Sequence, residues 1–574
     1  MSVGVHVARI VRKHKGKEYE TFLLRHNYRE NGKVKHQTLG NLSKLPRESI
    51  DILQRSLKGE PIVALDSVFQ IDKSLLHGHI ALVWQMMKKL KIAELLGVGD
   101  ERKKKIALAL IAARIVEPSS KLSTNNWWQT TTLFSDFLPD GIDADDIYEA
   151  LDWLVERQDR IEKKLSARHL SSGDLVLYDI SSSYVEGKCC PLAQFGWSRD
   201  KKKGKKQIVY GIVGNRGGIP ISVEVFPGST IDSTTLLGQV DKVTDRFGVS
   251  DVVFVGDRGM IAKSGIDGLK DKDLSFITAL GAQQVRALAR GGNIQMSLFD
   301  QTNLCEISHP DYPDERLVVC LNPYVAANRK KNRGELIAAT VRELDKVEKV
   351  VQTGKLEGKD KIGVRVGKVI NRFKMQKHFD LFIEEKEFSF VVNQDRMDSE
   401  SALDGIYIIR TNVPKEKLSA KRAVFSYKSL CQMEKGFRNL KMSDLKVRPL
   451  YHYLEDRVKA HLFLCLLSLY VTWHLKQALA PMTFADDQPS SGVDPVAKKE
   501  VSLSAKAKAR TKKTSNGYPV LSFRALLKEL STLTRNQITI GDGNKETVEM
   551  LTTPTTTQRR AFELIGMPIP PKLS

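Results

Sequence analysis

Two short blocks of the sequence carry an acid where a strand-like run gives out. "DLVLYDI" (174–180) presents Asp179, followed at once by Ser181, Ser182 and Ser183, and "DVVFVGDRGM" (251–260) presents Asp257. Such an acid reads in two ways. Its side chain caps the following turn, or it is a carboxylate offered to a metal ion by a buried strand. The order strand, hairpin, helix, strand favours the second reading when both blocks are taken together. A right-handed crossover from the hairpin sets the Asp257 strand parallel to the Asp179 strand and next to it. Neighbouring strands lie about 4.8 Å apart, so acids at matching ends converge, at the edge where open α/β sheets hold ligands. Paired carboxylates there suit Mg²⁺, and two ions about 3.5–4 Å apart promote in-line phosphoryl transfer. A third acid is expected from a helix packed beside the strands. In "FSYKSLCQMEKGFRNLKMSDLKVRP", Tyr427, Leu430, Glu434, Arg438 and Lys441 recur at spacings of three and four and share a face. Standing alone, that face reads as a surface helix with a Glu434–Arg438 pair. Beside two aspartates, it offers a metal ligand with cations for phosphate.

Between the first two acids lies "SRDKKKGKK" (198–206), where Arg199, Lys201, Lys202, Lys203, Lys205 and Lys206 surround a single acid, Asp200. A solvated loop is the plain reading. A track for a phosphate backbone is the functional one. The whole chain leans the same way: 90 Lys and Arg against 68 Asp and Glu give a formal charge of +22. A balance of that size attracts polyanions, of which nucleic acid is the commonest. Residues 321–380 alone hold 15 basic and 7 acidic residues. Near the N-terminus, Asn31-Gly32 is a hairpin signal, and its Arg29, Lys33, Lys35 and His36 make a basic ribbon. Such a ribbon enters a major groove or is ordinary surface. Trp127-Trp128 stacks on bases or belongs to the core.

The elements that must position these groups are spread over several modules, since 574 residues exceed one ordinary core. Residues 1–74 read as a small β-rich domain, and 75–172 as helical, with stops at Gly97 and before Pro118. Both are candidates for DNA binding. The core occupies 173–280, with strands at 174–180, 207–214, 219–226 and 251–260 and a helix at 232–248, and resumes over 404–482 with a long helix at 414–441. Residues 281–403 form a basic insertion with a charged helix near 328–350 and further strands, 483–516 a flexible linker of low apolar content, and 517–574 a small C-terminal segment. Six cysteines, of which Cys189 and Cys190 are adjacent and four stand alone, show no zinc-type spacing and suit a reducing compartment. No apolar leader opens the chain, and "LFLCLLSLYV" (462–471) is too short to span a bilayer, so it reads as a buried helix.

At these blocks the sequence resembles the DDE transposases of bacterial insertion sequences, within the insertion-sequence-four superfamily, over roughly residues 5–480. "LYDISSSYVEG" resembles the first-aspartate block and "VFVGDRGMI" the second, with "GWSRDKKKGKKQIVYGIV" between them. "DGIYIIRTN" and "RPLYHYLEDRVKAHLFLCLL" resemble segments flanking the third block. That block reads Tyr, two residues, Arg, three residues, Glu, six residues, Lys. Tyr427, Glu434 and Lys441 fall in place, whereas the Arg position holds Leu430. Lys428 and Arg438 are the nearby cations that could substitute.

The resemblance implies a ribonuclease H-like α/β core with a β-rich insertion between the second Asp and the Glu. It implies that Asp179, Asp257 and Glu434 hold two Mg²⁺ ions, with Mn²⁺ as a substitute. Tyr427, Arg438, Lys441 and the 199–206 tract would contact double-stranded DNA bearing terminal inverted repeats, and target DNA. A homodimer on paired ends, working in the bacterial cytoplasm at the nucleoid and without a membrane, completes the expectation. Three other readings stand beside it: a nuclease of the same fold without joining activity, a transposase-derived repressor, and a structural basic protein.

Overall fold

A computed structural model of the chain describes residues 4–14, 16–60, 69–291, 294, 299–489, 494–497, 500–540 and 546–573. They divide into two units, Met1–Leu75 with Thr534–Thr552, and Leu76–Leu533 with Thr553–Ser574. In the first unit, strands β1 (Gly4–His14), β2 (Lys17–Glu30) and β3 (Lys33–Asn41) form an antiparallel sheet. Asn31 and Gly32 both take positive φ, 49° and 74°, the geometry that closes a two-residue hairpin. Strand β4 (Phe69–Leu76) joins a second, three-stranded sheet whose other members come from near the C-terminus, Thr534–Ile540 and Glu546–Leu551.

The second unit opens with the expected helices, among them Gly78–Lys89, Glu101–Val116, Ala144–Val155 and Gln158–His169. Asp143 starts the third of these through a capping box with Asp146. Trp128 is fully buried and Trp127 packs against the same core, so the core reading of that pair holds. The sheet follows: β5 (Leu175–Tyr184), β6 (Gln207–Asn215), β7 (Pro220–Pro227), β8 (Val253–Val255), β9 (Ser275–Ala279), β10 (Leu304–Ile307), β11 (Arg316–Leu321) and, after the insertion's small hairpin β12 (Phe379–Ile383) and β13 (Phe388–Val392), β14 (Ile406–Thr411). Eight of these strands form one sheet in the order β10-β11-β14-β9-β8-β5-β6-β7. β5, β6 and β7 meander antiparallel, while β8 and β9 run parallel to β5. That five-stranded half is the ribonuclease H-like α/β core. The helix Glu455–Ala478 lies across it against β7 and the first helices. It is the one helix among the described residues long and apolar enough to cross a membrane, and it is buried as core.

Four expectations need correction. The insertion is mainly helical, not β-rich: Pro323–Gln352 and Lys359–Phe373 pair through Ile337, Leu344, Val347 and Val351 against Ile362, Val366 and Ile370. Its strands β10 and β11 merely extend the core sheet. The long helix at 414–441 starts only at Ala420, capped by Ser419, and breaks at Ser429, giving Ala420–Lys428 and Leu430–Arg438. The Phe425 carbonyl accepts both the Ser429 N–H and the Ser429 hydroxyl, each at 3.0 Å. The stretch 483–516 is not a plain linker, although 490–493 and 498–499 lie outside the described residues. It contains a helix, Leu503–Thr511, whose Lys508 is buried, donates to the carbonyls of Ala480 (2.9 Å) and Ala485 (2.7 Å) and pairs with Asp487 at 2.9 Å. Polar bonds there replace the apolar core that the composition lacks. Finally, the C-terminal segment is no separate module: 534–552 belongs to the first unit, and Leu573 reaches Trp84, whose Nε1 donates to its carbonyl at 2.8 Å.

Candidate active site

The parallel pairing of β5 and β8 ends at Leu177 and Val255. Asp179 and Asp257 each stand two residues beyond, so they share one level at the C-terminal edge of the core. Asp179 is not the end of its strand. β5 continues to Tyr184 along β6, and Asp179 marks where β8 leaves it. The Asp179 carboxylate accepts the Ile180 N–H at 2.8 Å. Asp257 does satisfy the capping reading, accepting the Gly259 N–H at 3.1 Å, and its carbonyl accepts from Met260 and Ile261. One of its two oxygens is thereby committed to the turn.

Glu434 is carried over this edge by the Leu430–Arg438 helix, which buries Met433 and Phe437. Phe437 stacks at a tilt on Tyr210 of β6, with ring centroids 5.8 Å apart. Two glycines of the β6–β7 hairpin make the approach possible. A Cβ on Gly214 would meet the Met433 sulfur at 2.8 Å, and one on Gly218 would meet the Gln432 Cβ at 2.6 Å. Leu430, at the position where the resemblance expects Arg, packs against the core. A π-turn over Asn439–Ser443 follows and re-aims Lys441.

The three acids feel one another. Asp179 is partly buried, and its carboxyl is pushed up to about 7, chiefly by burial and then by the negative charges of Asp257 and Glu434. Arg199 and the Ile180 amide pull the other way. Tyr427 is pushed up to about 12, mainly by burial, with Asp257, Glu434 and Asp179 adding to the shift against Arg258. Asp257 and Glu434 are exposed. Among the described residues no three His, Cys, Asp or Glu side chains stand close enough to hold one ion. The donor set nevertheless fits a hard divalent cation. Three carboxylates offer oxygen ligands only, and the charge of Asp179 is opposed by the other two until a cation arrives.

The basic residues separate into tied and free-standing groups. Lys441 lies 3.0 Å from Asp200, whose side chain is 2% exposed and also pairs with Arg448. Arg199 pairs with Asp232, and its amide donates to Ser182 at 3.1 Å. Lys205 pairs with Glu186 at 2.8 Å. Lys201, Lys202, Lys203 and Lys206 are exposed, as is Arg438, and the Lys202 ammonium sits 5.9 Å over the Tyr184 ring. The sequence reading missed Asp200 as a structural node, Arg448 as its partner and Arg258 beside the carboxylates. An acid inside a basic run was the available signal for the first. It also missed Phe195 and Trp197, which are 64% and 86% exposed just before the tract.

Comparison with known proteins bears on this geometry directly. Residues 7–62 match the model of the IS1634 family transposase N-terminal domain, and residues 171–471 match the transposase DDE domain. No curated protein matches the sequence. A similar solved structure is the piggyBac transposase synaptic complex with hairpin DNA, determined by cryo-EM. It is 8% identical, covers 79% of this chain and 78% of its own, and superposes with a TM-score of 0.36. The DDE match alone spans more than half of the chain, and the chain therefore belongs to the DDE transposases, enzymes that cleave DNA and transfer its strands, with an N-terminal domain of the IS1634 type.

Proposed function

We propose that Asp179, Asp257 and Glu434 are the catalytic carboxylates of this transposase and that they hold two Mg²⁺ ions, for which Mn²⁺ can substitute. The observation that carries the assignment is the shared level of Asp179 and Asp257 at one sheet edge, with Glu434 close enough for its charge to act on Asp179. When bound, the divalent ions supply the activated attacking oxygen and the counter-charge for the leaving one. The protein's own share is positional. β5 and β8 fix two carboxylates by sheet register, while the core-packed Met433 and Phe437 hold the third. Asp257, tied to its own turn through Gly259, is kept from swinging away. Tyr427, held as the neutral phenol by its surroundings, can donate to a phosphate oxygen without adding charge. Exposed Lys201, Lys202, Lys203 and Lys206, with Arg438, screen the strand as it approaches. Arg199, Lys205 and Lys441 act through the acids they pair with as well as through DNA.

The substrate is double-stranded DNA with terminal inverted repeats, joined afterwards to target DNA, and both ends are held by a homodimer. The element fits the insertion-sequence-four superfamily, and the enzyme works in the bacterial cytoplasm at the nucleoid. The test is cleavage of a plasmid carrying the element's ends by Asp257→Asn and Glu434→Gln variants. Loss of cutting with end binding kept within a few-fold is expected. Substantial Mg²⁺-dependent cutting by either variant would overturn the assignment, and cutting without strand-transfer products would favour a plain nuclease.

A further inference from the structure

A cavity of about 520 Å³ opens between Arg114, the turn Pro118–Lys121, Tyr148 and the segment from Lys446 to Arg457. Its lining is cationic and, among the described residues, includes no carboxylate. Arg114 and Lys121 are each only 6% exposed. Arg114 gives one N–H to the Ser119 carbonyl at 3.0 Å, while its Nε is buried without a partner. The Lys121 ammonium lies 3.4 Å from Nδ1 of His461. Nε2 of that ring is 3.3 Å from the Val447 carbonyl. The ring thus donates to Val447 and accepts from Lys121, and among the described residues no carboxylate pairs with either cation.

This is not how the fold treats buried cations elsewhere. Lys242, 3% exposed, lies 3.3 Å from Glu162 and 2.6 Å from Glu224. Arg333 pairs with Asp404. Leaving a lysine and an arginine buried and unanswered is costly, because desolvation of the charge is not offset. The cavity is roomy, and exposed Tyr451, Tyr453 and Leu454 are among its lining residues. Its wall is also fastened to the catalytic strand. Leu450 bridges to Val185, next after β5, and Arg448 holds Asp200 together with Lys441.

We propose that this cavity is an anion site that seats a phosphate of the DNA backbone, with Arg114 and Lys121 as its charge-bearing ligands. An arginine N–H beside a lysine ammonium matches a tetrahedral oxyanion rich in acceptors. The +22 charge of the chain and its DNA substrate point to a phosphodiester as the source. A phosphate held there anchors the strand at a fixed distance along the chain from Asp179. The inference rests on DNA being the substrate but not on the carboxylate assignment, since its readouts need no cleavage.

The full-length chain in chelator-containing buffer tests it, with pyrophosphate and a short DNA duplex as probes. Wild type should melt several degrees higher in millimolar pyrophosphate than in chloride of equal ionic strength. Lys121→Met should melt higher than wild type without anion, because burial, with Arg114 adding, disfavours the Lys121 ammonium and the replacement removes that desolvation, and should lose the pyrophosphate gain. Its DNA binding should show a salt slope shallower by about 0.9, with Lys121→Arg restoring both. Arg114→Met provides the second variant and should lose the pyrophosphate gain as well. Pyrophosphate stabilisation that survives in Lys121→Met and Arg114→Met would overturn the site. A lost pyrophosphate effect with an unchanged DNA slope would overturn the backbone assignment in favour of a free phosphate compound.

Discussion

Asp179, in β5, and Asp200, in the connection from β5 to β6, are 21 residues apart, and the fold treats them in opposite ways. Asp200 is enclosed with Lys441 at 3.0 Å and with Arg448, two cations for one acid. Asp179 faces Asp257 and Glu434, with Arg199 as the nearest countering charge. The first arrangement is complete as it stands. The second leaves an excess of negative charge, which the proposed Mg²⁺ ions would answer. Burial of a charge thus separates structure from function by whether its partners come from the same polypeptide.

The largest effect should come from removing the incomplete charge. Asp179→Asn is expected to abolish cleavage, because an amide keeps the shape and loses the affinity for a hard cation. Its effect on stability should have the opposite sign to that of ordinary mutations. The native carboxyl titrates near 7, above its unfolded value, so between about pH 4 and 7 the folded state binds the extra proton. Stability from this group is present at low pH and declines as pH rises through that window. In chelator at pH 8 the variant should therefore gain on the order of 1–4 kcal/mol over wild type. Denaturant melts at pH 5 and pH 8 check it, and a variant less stable than wild type at pH 8 would remove the contrast with Asp200.

Asp200→Asn probes the complete node. It leaves Lys441 and Arg448 without their acid, and removal of one partner from a buried pair costs about 3–5 kcal/mol. Cleavage by the surviving folded fraction should persist at low temperature, since no catalytic oxygen is lost. A stable variant with no activity would instead place Asp200 among the reacting groups.

Leu430→Arg comes next in size and concerns the residue found where an arginine is expected. Leu430 shares an apolar stripe with Met433 and Phe437 and packs against the core while remaining partly exposed. An arginine there forfeits that packing but can extend its head toward water, so the expected loss is about 1–2 kcal/mol. Thermal melting and DNA binding should be measured together. Unchanged stability with tighter binding would show that the position faces DNA and that leucine merely leaves a phosphate unengaged.

These contrasts explain what could be read in the sequence. The pairing of β5 with β8 follows from a chirality rule that depends only on element order, so the shared level of Asp179 and Asp257 at one sheet edge was legible. A helix carrying Glu434 beside those strands was legible through that acid's spacing from Tyr427 and Lys441. The break at Ser429 was not, because an interruption of a single residue leaves no trace in apolar periodicity. The charged insertion showed its first helix, read near 328–350 and found at Pro323–Gln352, but hid the second. The first helix's apolar stripe of Ile337, Leu344, Val347 and Val351 is sparse and becomes a core only against Lys359–Phe373. Lys508 in the supposed linker looked solvated, yet it is buried by bonds to carbonyls that no pattern of residue types announces. The Asp200 node was hidden because its cations lie some 240 residues downstream.

The smallest expected effect belongs to the lysines that nothing ties down. Lys201, Lys202 and Lys203 are exposed, in contrast to Lys441, and they follow exposed Phe195 and Trp197. Replacing all three with Ala should leave the melting temperature within the scatter of surface mutations, about 0.5 kcal/mol. DNA binding should weaken modestly and, more tellingly, its dependence on salt should flatten by about 0.9 for each phosphate no longer neutralised. Trp197→Ala separates the tract's charge from its aromatic neighbour. A stacked base is worth about 1–3 kcal/mol and carries little salt dependence, so that variant should lower affinity at every salt concentration in parallel. If the triple variant keeps the wild-type slope, the tract is a solvated loop, and the division between tied and untied cations carries no functional meaning at this edge.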